Sequence, residues 1–238
     1  MGLDVYAGTL TRYYLRDWET VVQQYARENG LQVKIVGPDG EHKRVDDAAS
    51  RAQTTELVTL WKSMLVDGLK QHLQEPFDWS EDNQQPYFTD KPDWDGYASL
   101  VLAAAYSEHP EMNQPRKAAR AWKEDIAYKE CTAQGAGTRY GNILLPEIWI
   151  PIRQDVTFET MLPSSRQAVF GSTYALLDQL QLLNEEVFKG SATDLESWRK
   201  AGTGEEGSFE QASRFGLACM IDLAADAVRH NLPMVLDY

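Results

Sequence analysis

The chain has 238 residues, 43% of them hydrophobic and 25% charged, with seven Trp and eleven Tyr. That length lets a fold bury roughly 70–75% of the surface its unfolded form exposes, so a core forms without staples. The formal net charge of −13 disfavours nucleic acid, whose phosphates attract basic fields, and disfavours an anionic membrane surface. A basic protein is the partner that such a charge suits, because complementary fields speed encounter.

The first residues carry no basic n-region and no apolar h-region, and no apolar run approaches the length of a membrane span. Cytoplasm is the expected location. Cys131 and Cys219 lie far apart in the chain with no CxxC neighbour, and are expected as two buried free thiols.

In chain order, Leu3–Gly8 alternates as a short strand. Tyr14, Leu15, Trp18, Val21, Val22 and Tyr25 then form one helical stripe, with Gly30 as its stop. Leu31–Val36 alternates as a second strand and 37–40 reads as a turn. A long helical pattern covers Val45–Leu73, with one break expected near Gln53–Thr55. Residues 76–92 lack periodicity and read as a loop excursion, and a loop of that length in a compact domain tends to be functional. Asp93 is expected to cap the next helix, whose buried face is Tyr97, Leu100, Val101, Ala104 and Ala105. His109-Pro110 ends it. Pro115 suits the first turn of another helix, with Ala119, Trp122 and Ile126 inward. Gly135-Ala136-Gly137 reads as a linker.

The stretch 142–188 organises the rest. Ile143–Leu145, Ile148–Ile152, Val156–Phe158 and Ala168–Phe170 read as strands feeding a helix capped by Ser172. Residues 190–207 read as a polar connector with a short helical piece near Leu195–Trp198. A central helix starts near Ser208, and Leu232–Tyr238 reads as a last strand placed beside the first. The fold class is therefore α+β: a small mixed or mainly antiparallel sheet with its terminal strands adjacent, covered by several long helices, in a single domain spanning 1–238.

No dinucleotide, phosphate-loop, nucleophile-elbow, zincin or EF-hand fingerprint is present, so no cofactor is expected. The four histidines, His42, His72, His109 and His230, do not pair at ligand spacing. Asp90, Asp93 and Asp95 crowd oxygen ligands into six residues, but helix-start chemistry accounts for them without a metal, and no metal is expected. Arg116, Lys117, Arg120 and Lys123 form a basic strip, with the acidic loop as its expected partner.

The most informative stretch is 76–95. Trp79, Tyr87, Phe88 and Trp94 alternate with Asp90, Asp93, Asp95 and other acids, an interface composition of aromatic anchors among charges that select the partner. The first reading is thus an interaction protein of the inhibitor or immunity type, binding a basic protein through Trp79, Tyr87, Phe88, Asp90, Asp93, Trp94 and Asp95. The alternative is a small hydrolase whose catalytic carboxylates are Glu147 and Asp155, assisted by His109.

Overall fold

The strands from the two ends of the chain pair side by side within a six-stranded sheet. The computed structural model describes residues 2–32, 36–37, 40–41, 44–117, 121–203 and 207–238. The elements are β1 (Asp4–Ala7), α1 (Leu10–Leu15), α2 (Val21–Glu28), β2 (Val36–Gly37), β3 (Gly40–Glu41), α3 (Ala48–Leu69), β4 (Phe88–Asp90) and α4 (Asp93–Glu108). A 3₁₀ turn at Trp122–Glu124 leads to α5 (Ile126–Thr132), α6 (Gly141–Leu144), β5 (Ile148–Ile150), β6 (Thr157–Met161), β7 (Gln167–Ser172) and α7 (Thr173–Leu183). A π turn at Asn184–Phe188 precedes α8 (Ala192–Ala201), α9 (Phe209–His230) and β8 (Met234–Asp237).

The sheet order is β4-β1-β8-β5-β7-β6. β5 and β7 are parallel and the other neighbours antiparallel, so the sheet is mixed. The period-2 side-chain alternation of strands divides the core in two. Val5, Ala7, Trp149, Met234 and Leu236 pack with α4, α7 and α9. Tyr6, Ile148, Ile150, Phe170 and Val235 face the other way, toward Leu10, Trp18, Val58 and Trp79. Two helix starts follow from their caps: Ser172 Oγ accepts from Ala175 N and Ser208 Oγ from Gln211 N.

Several expectations are corrected. The stripe from Tyr14 to Tyr25 is two helices, because Arg16 adopts a left-handed conformation (φ 57) that ends α1. The helix over Val45–Leu73 is unbroken as α3. Ile143 and Leu144 sit in α6 rather than a strand; an apolar run this short fits either period. Loop 76–92 contains the edge strand β4, and the connector 190–207 contains the ten-residue α8. Asp93 does not cap α4: its N-cap is Pro92 without a side-chain bond, and Asp93 leans to Lys91 at 3.4 Å. No helix begins at Pro115, since Arg116 O accepts from Phe209 N and Lys117 bridges Ser208. Ala119, Arg120, His42 and half of the 31–40 strand and turn lie outside the described residues, although Val36–Gly37 pairs with Gly40–Glu41.

The break after Arg16 places Asp17 against Arg51 and Arg44, each at 2.5 Å. Hydrogen bonds from Arg51, then Arg44, hold its carboxyl below the ordinary aspartate value of 3.8. A depressed folded pKa contributes stability above the unfolded pKa and loses it as pH falls through the folded one. Asp17→Asn is therefore expected to lower the urea midpoint at pH 7. That deficit should shrink steadily below about pH 4, read as paired urea melts across pH; a deficit independent of pH would assign the loss to something other than charge.

Candidate functional site

The aromatic half of the 76–95 segment turns inward. Trp79 is buried, its Nε1 donates to Glu81 at 2.5 Å, and Lys62 Nζ lies 4.9 Å from its ring centre while also bonding the Trp79 carbonyl. Tyr87 is half-buried between Tyr6, 6.2 Å away, and the Arg12 guanidinium, 5.0 Å away. Phe88 packs on His230 at 5.2 Å, and Trp94 meets Tyr238 edge-on at 5.1 Å. Asp90 is buried against Arg199 at 2.8 Å. Burial dominates there and raises its carboxyl, with Arg199 opposing. Asp93 faces Lys91, and Asp95 is also engaged.

What remains outside is a polar crest: Glu75, Asp78, Ser80, Asp82 and Gln84 are exposed. It is pinned from below. Arg12 donates to the carbonyls of Asn83 and Gln85, Thr9 Oγ1 to Asn83 Oδ1 at 3.0 Å, and Asn231 to the Asp78 carbonyl at 2.8 Å. The Glu81 carboxylate accepts from Thr11 N at 2.7 Å and Leu10 N at 3.3 Å, the first turn of α1. An anion at that end complements the helix dipole. Sequence reading missed Arg12, Lys62 and Glu81 as the clamp; they lie far apart in the chain, and no spacing pattern joins them.

Glu147, Asp155 and His109 are held at separate places. Glu147 pairs with Arg166 at 2.6 Å, near the start of β7. Asp155 accepts from Asn142 Nδ2 at 2.6 Å and Gln179 Nε2 at 3.2 Å, near the end of β7. Asn142 there is fully buried and also accepts from Ser172 N at 2.7 Å and, through its carbonyl, from Trp149 Nε1 at 2.7 Å. These bonds make Asp155 part of a structural network. His109 faces Glu111 at 3.3 Å and lines a cavity of about 610 Å³ with Glu108 and Cys131. Burial, reinforced by Glu108, pushes the Cys131 thiol up to about 12, which removes the thiolate that nucleophilic chemistry needs.

A cleft of about 510 Å³ opens between α1 and the ends of β5 and β8. Within it Asp237 accepts from Tyr13 Oη at 2.7 Å and Arg16 at 2.9 Å, and burial pushes Tyr14 up to about 12. Its two arginines, Arg16 and Arg166, are each matched by a carboxylate. No group of three or more His, Cys, Asp or Glu among the described residues is placed to hold a metal. Cys131 and Cys219 are both free and buried.

No protein-family model, curated protein or solved structure matches this chain. No described helix is long and apolar enough to cross a membrane.

Proposed function

We propose that this chain is an acidic interaction protein of the inhibitor or immunity type, which captures a basic protein partner in the cytoplasm through the 76–95 segment. The observation that carries the reading is the build of that segment. Glu75, Asp78, Asp82 and Gln84 are exposed, the aromatic rings turn inward, and Arg12, Glu81, Lys62 and Asn231 fix an otherwise irregular chain. Pinning a binding loop beforehand removes the ordering cost from association, which is how a surface of modest area reaches useful affinity. The net charge of −13 supplies the long-range field that draws a basic partner in. Trp79, Tyr87, Phe88 and Trp94 then serve as the foundation of the crest, while Asp90 and Asp93 anchor its far end through Arg199 and Lys91. The carboxylate-led hydrolase has less support, because Glu147, Asp155 and His109 are each engaged with different neighbours.

Affinity capture with the parent protein and with a Glu75→Lys/Asp82→Lys variant tests the reading. Both residues are exposed; Asp82 Oδ1 also accepts from Gln84 N at 2.9 Å, so the double substitution costs about 0.5–1.5 kcal/mol locally and leaves the fold intact. The parent is expected to retain a basic protein in a salt-sensitive manner, and the reversed variant to lose it. Identical retention by both would remove the crest from the mechanism.

A further inference from the structure

The sheet ends on β6, and that edge is open. Leu162 N donates to Arg166 O, and Val169 O turns away to Glu147 N. Antiparallel strands alternate which residues bond across the ladder. With the register Phe158↔Phe170 and Thr160↔Ala168, the backbone groups of Phe158 and Thr160 serve β7, and those of Thr157, Glu159 and Met161 point outward. Trp61 Nε1 takes the Met161 carbonyl at 2.6 Å. The amides and carbonyls of Thr157 and Glu159 and the Met161 amide are left without a bond to any described residue.

Beside this edge runs an apolar groove of about 470 Å³ between α3 and β6, lined by Trp61, Met64, Leu65, Leu69, Phe158 and Thr160. Of the lining residues, Met64 is 67% exposed and Met161 50%, solvent-facing hydrophobic side chains at one edge that call for a cover. The Glu159 side chain, midway along the strand, has no ion pair or hydrogen bond among the described residues.

We propose that β6 is a strand-addition site for an extended, basic segment of another protein, with Lys or Arg opposite Glu159 and apolar residues on either side of it. Strand addition satisfies the open backbone groups, and pockets for alternate side chains supply the specificity. In an added antiparallel strand the residue facing Glu159 lies on the Glu159 side of the sheet, and its two neighbours point to the α3 side, into the groove. Charge selects against a second copy of this chain. The longest antiparallel self-pairing of Thr157–Met161 centres on Glu159 and sets two carboxylates face to face, which is destabilising. A lone charge on an edge strand also guards against aggregation; that role accounts for Glu159 but not for the uncovered Met64 that lines the same groove. Lys62, next to the groove residue Trp61 on α3, holds the crest, but among the described residues no groove-lining residue bonds to it, and the strand-addition site does not depend on the crest for its open backbone groups.

The probe is the peptide acetyl-Thr-Val-Lys-Val-Lys-Val-Thr-amide, with two controls: glutamate in place of both lysines, and N-methylation of alternate peptide bonds. Amide hydrogen exchange is read at Thr157, Glu159 and Met161. At about 5 mM lysine peptide these three amides are expected to exchange at least about fivefold more slowly, as for a site of millimolar affinity or better. The glutamate and N-methylated peptides should give no protection at the same concentration, and Glu159→Lys should exchange the preference to the glutamate peptide. Glu75→Lys/Asp82→Lys should leave the protection unchanged, which separates this site from the crest. Absence of protection by the lysine peptide, equal protection by both charges, or protection that grows with protein concentration alone would each overturn the proposal, the last by assigning the edge to self-association.

Discussion

Gly216→Ala is expected to destabilise the protein by roughly 2–4 kcal/mol, at and above the upper end of the about 1–3 kcal/mol typical of an overpacked core position, because the obstacle is backbone. For a chain of this size that is a fall of about 4–16 °C in melting temperature. A Cβ on Gly216 would stand 2.2 Å from the Gly96 carbonyl oxygen and 2.7 Å from its carbon. Those atoms belong to the backbone of α4, which cannot swing aside as a side chain would, so α4 and α9 must part. The consequence spreads, because the two helices share the core that holds Tyr97, Leu100, Leu217, Met220 and Ala224. Helix propensity alone predicts the opposite sign, a gain of about 1 kcal/mol for Gly→Ala in a helix interior. The outcome therefore decides between packing and propensity. Gly96→Ala should cost less: its Cβ first meets Phe215 Cδ1 at 3.1 Å, the end of a side chain that can turn. Thermal and urea melts of both variants check the order, and a Gly216→Ala protein as stable as its parent would show that the crossing has slack.

Gly216 also illustrates what a sequence hides. The apolar face of α9 is legible from its spacing, as are Ser172 as a cap, a helix start near Ser208 and the pairing of the first and last strands, because each rests on local chemistry. Close approach to α4 at a glycine is a property of two helices far apart in the chain. The same limit governs the other departures. Tyr14 to Tyr25 keeps helical phase across the left-handed Arg16, so periodicity sees one helix where the chain makes two. Phe88–Asp90 is three residues bounded by Pro86 and Pro92, too short to announce a strand, and it becomes one because β1 offers an unpaired side. Pro115 is a fair helix start by itself, yet Arg116 and Lys117 find backbone partners at Phe209 and Ser208. Composition shows that aromatic and acidic residues alternate between 76 and 95. It does not show which kind faces the core, and the partition is set by distant clamps at Arg12 and Lys62. In the same way β6 reads as a strand from its alternation, but its standing at the sheet edge depends on the order of all six.

Glu81→Ala is expected to have the largest effect on the crest although residue 81 is not at its summit. The substitution leaves three donors, Thr11 N, Leu10 N and Trp79 Nε1, without their acceptor. Thr11, Leu10 and Trp79 are all buried. A buried polar group left unpaired costs about 1–3 kcal/mol, and partial relaxation toward water brings the sum to roughly 3–5 kcal/mol. Once the carboxylate is gone, residues 80–85 are restrained by little but Arg12 and Thr9, while Lys62 and Asn231 still hold Asp78 and Trp79. Limited proteolysis should then cut within that span, where the parent resists, because cleavage follows local opening. Glu81→Gln keeps one acceptor oxygen and loses the charge, so an intermediate loss is expected. Partner capture should fall in the same order, parent above Glu81→Gln above Glu81→Ala, with the exposed acids Glu75, Asp78 and Asp82 untouched in all three. That ordering would place the affinity in the prior arrangement of the crest, since loosening a loop adds an ordering cost to every association. Capture that survives Glu81→Ala while the loop is cut would instead show that charge alone recruits the partner, and that the clamp serves the fold.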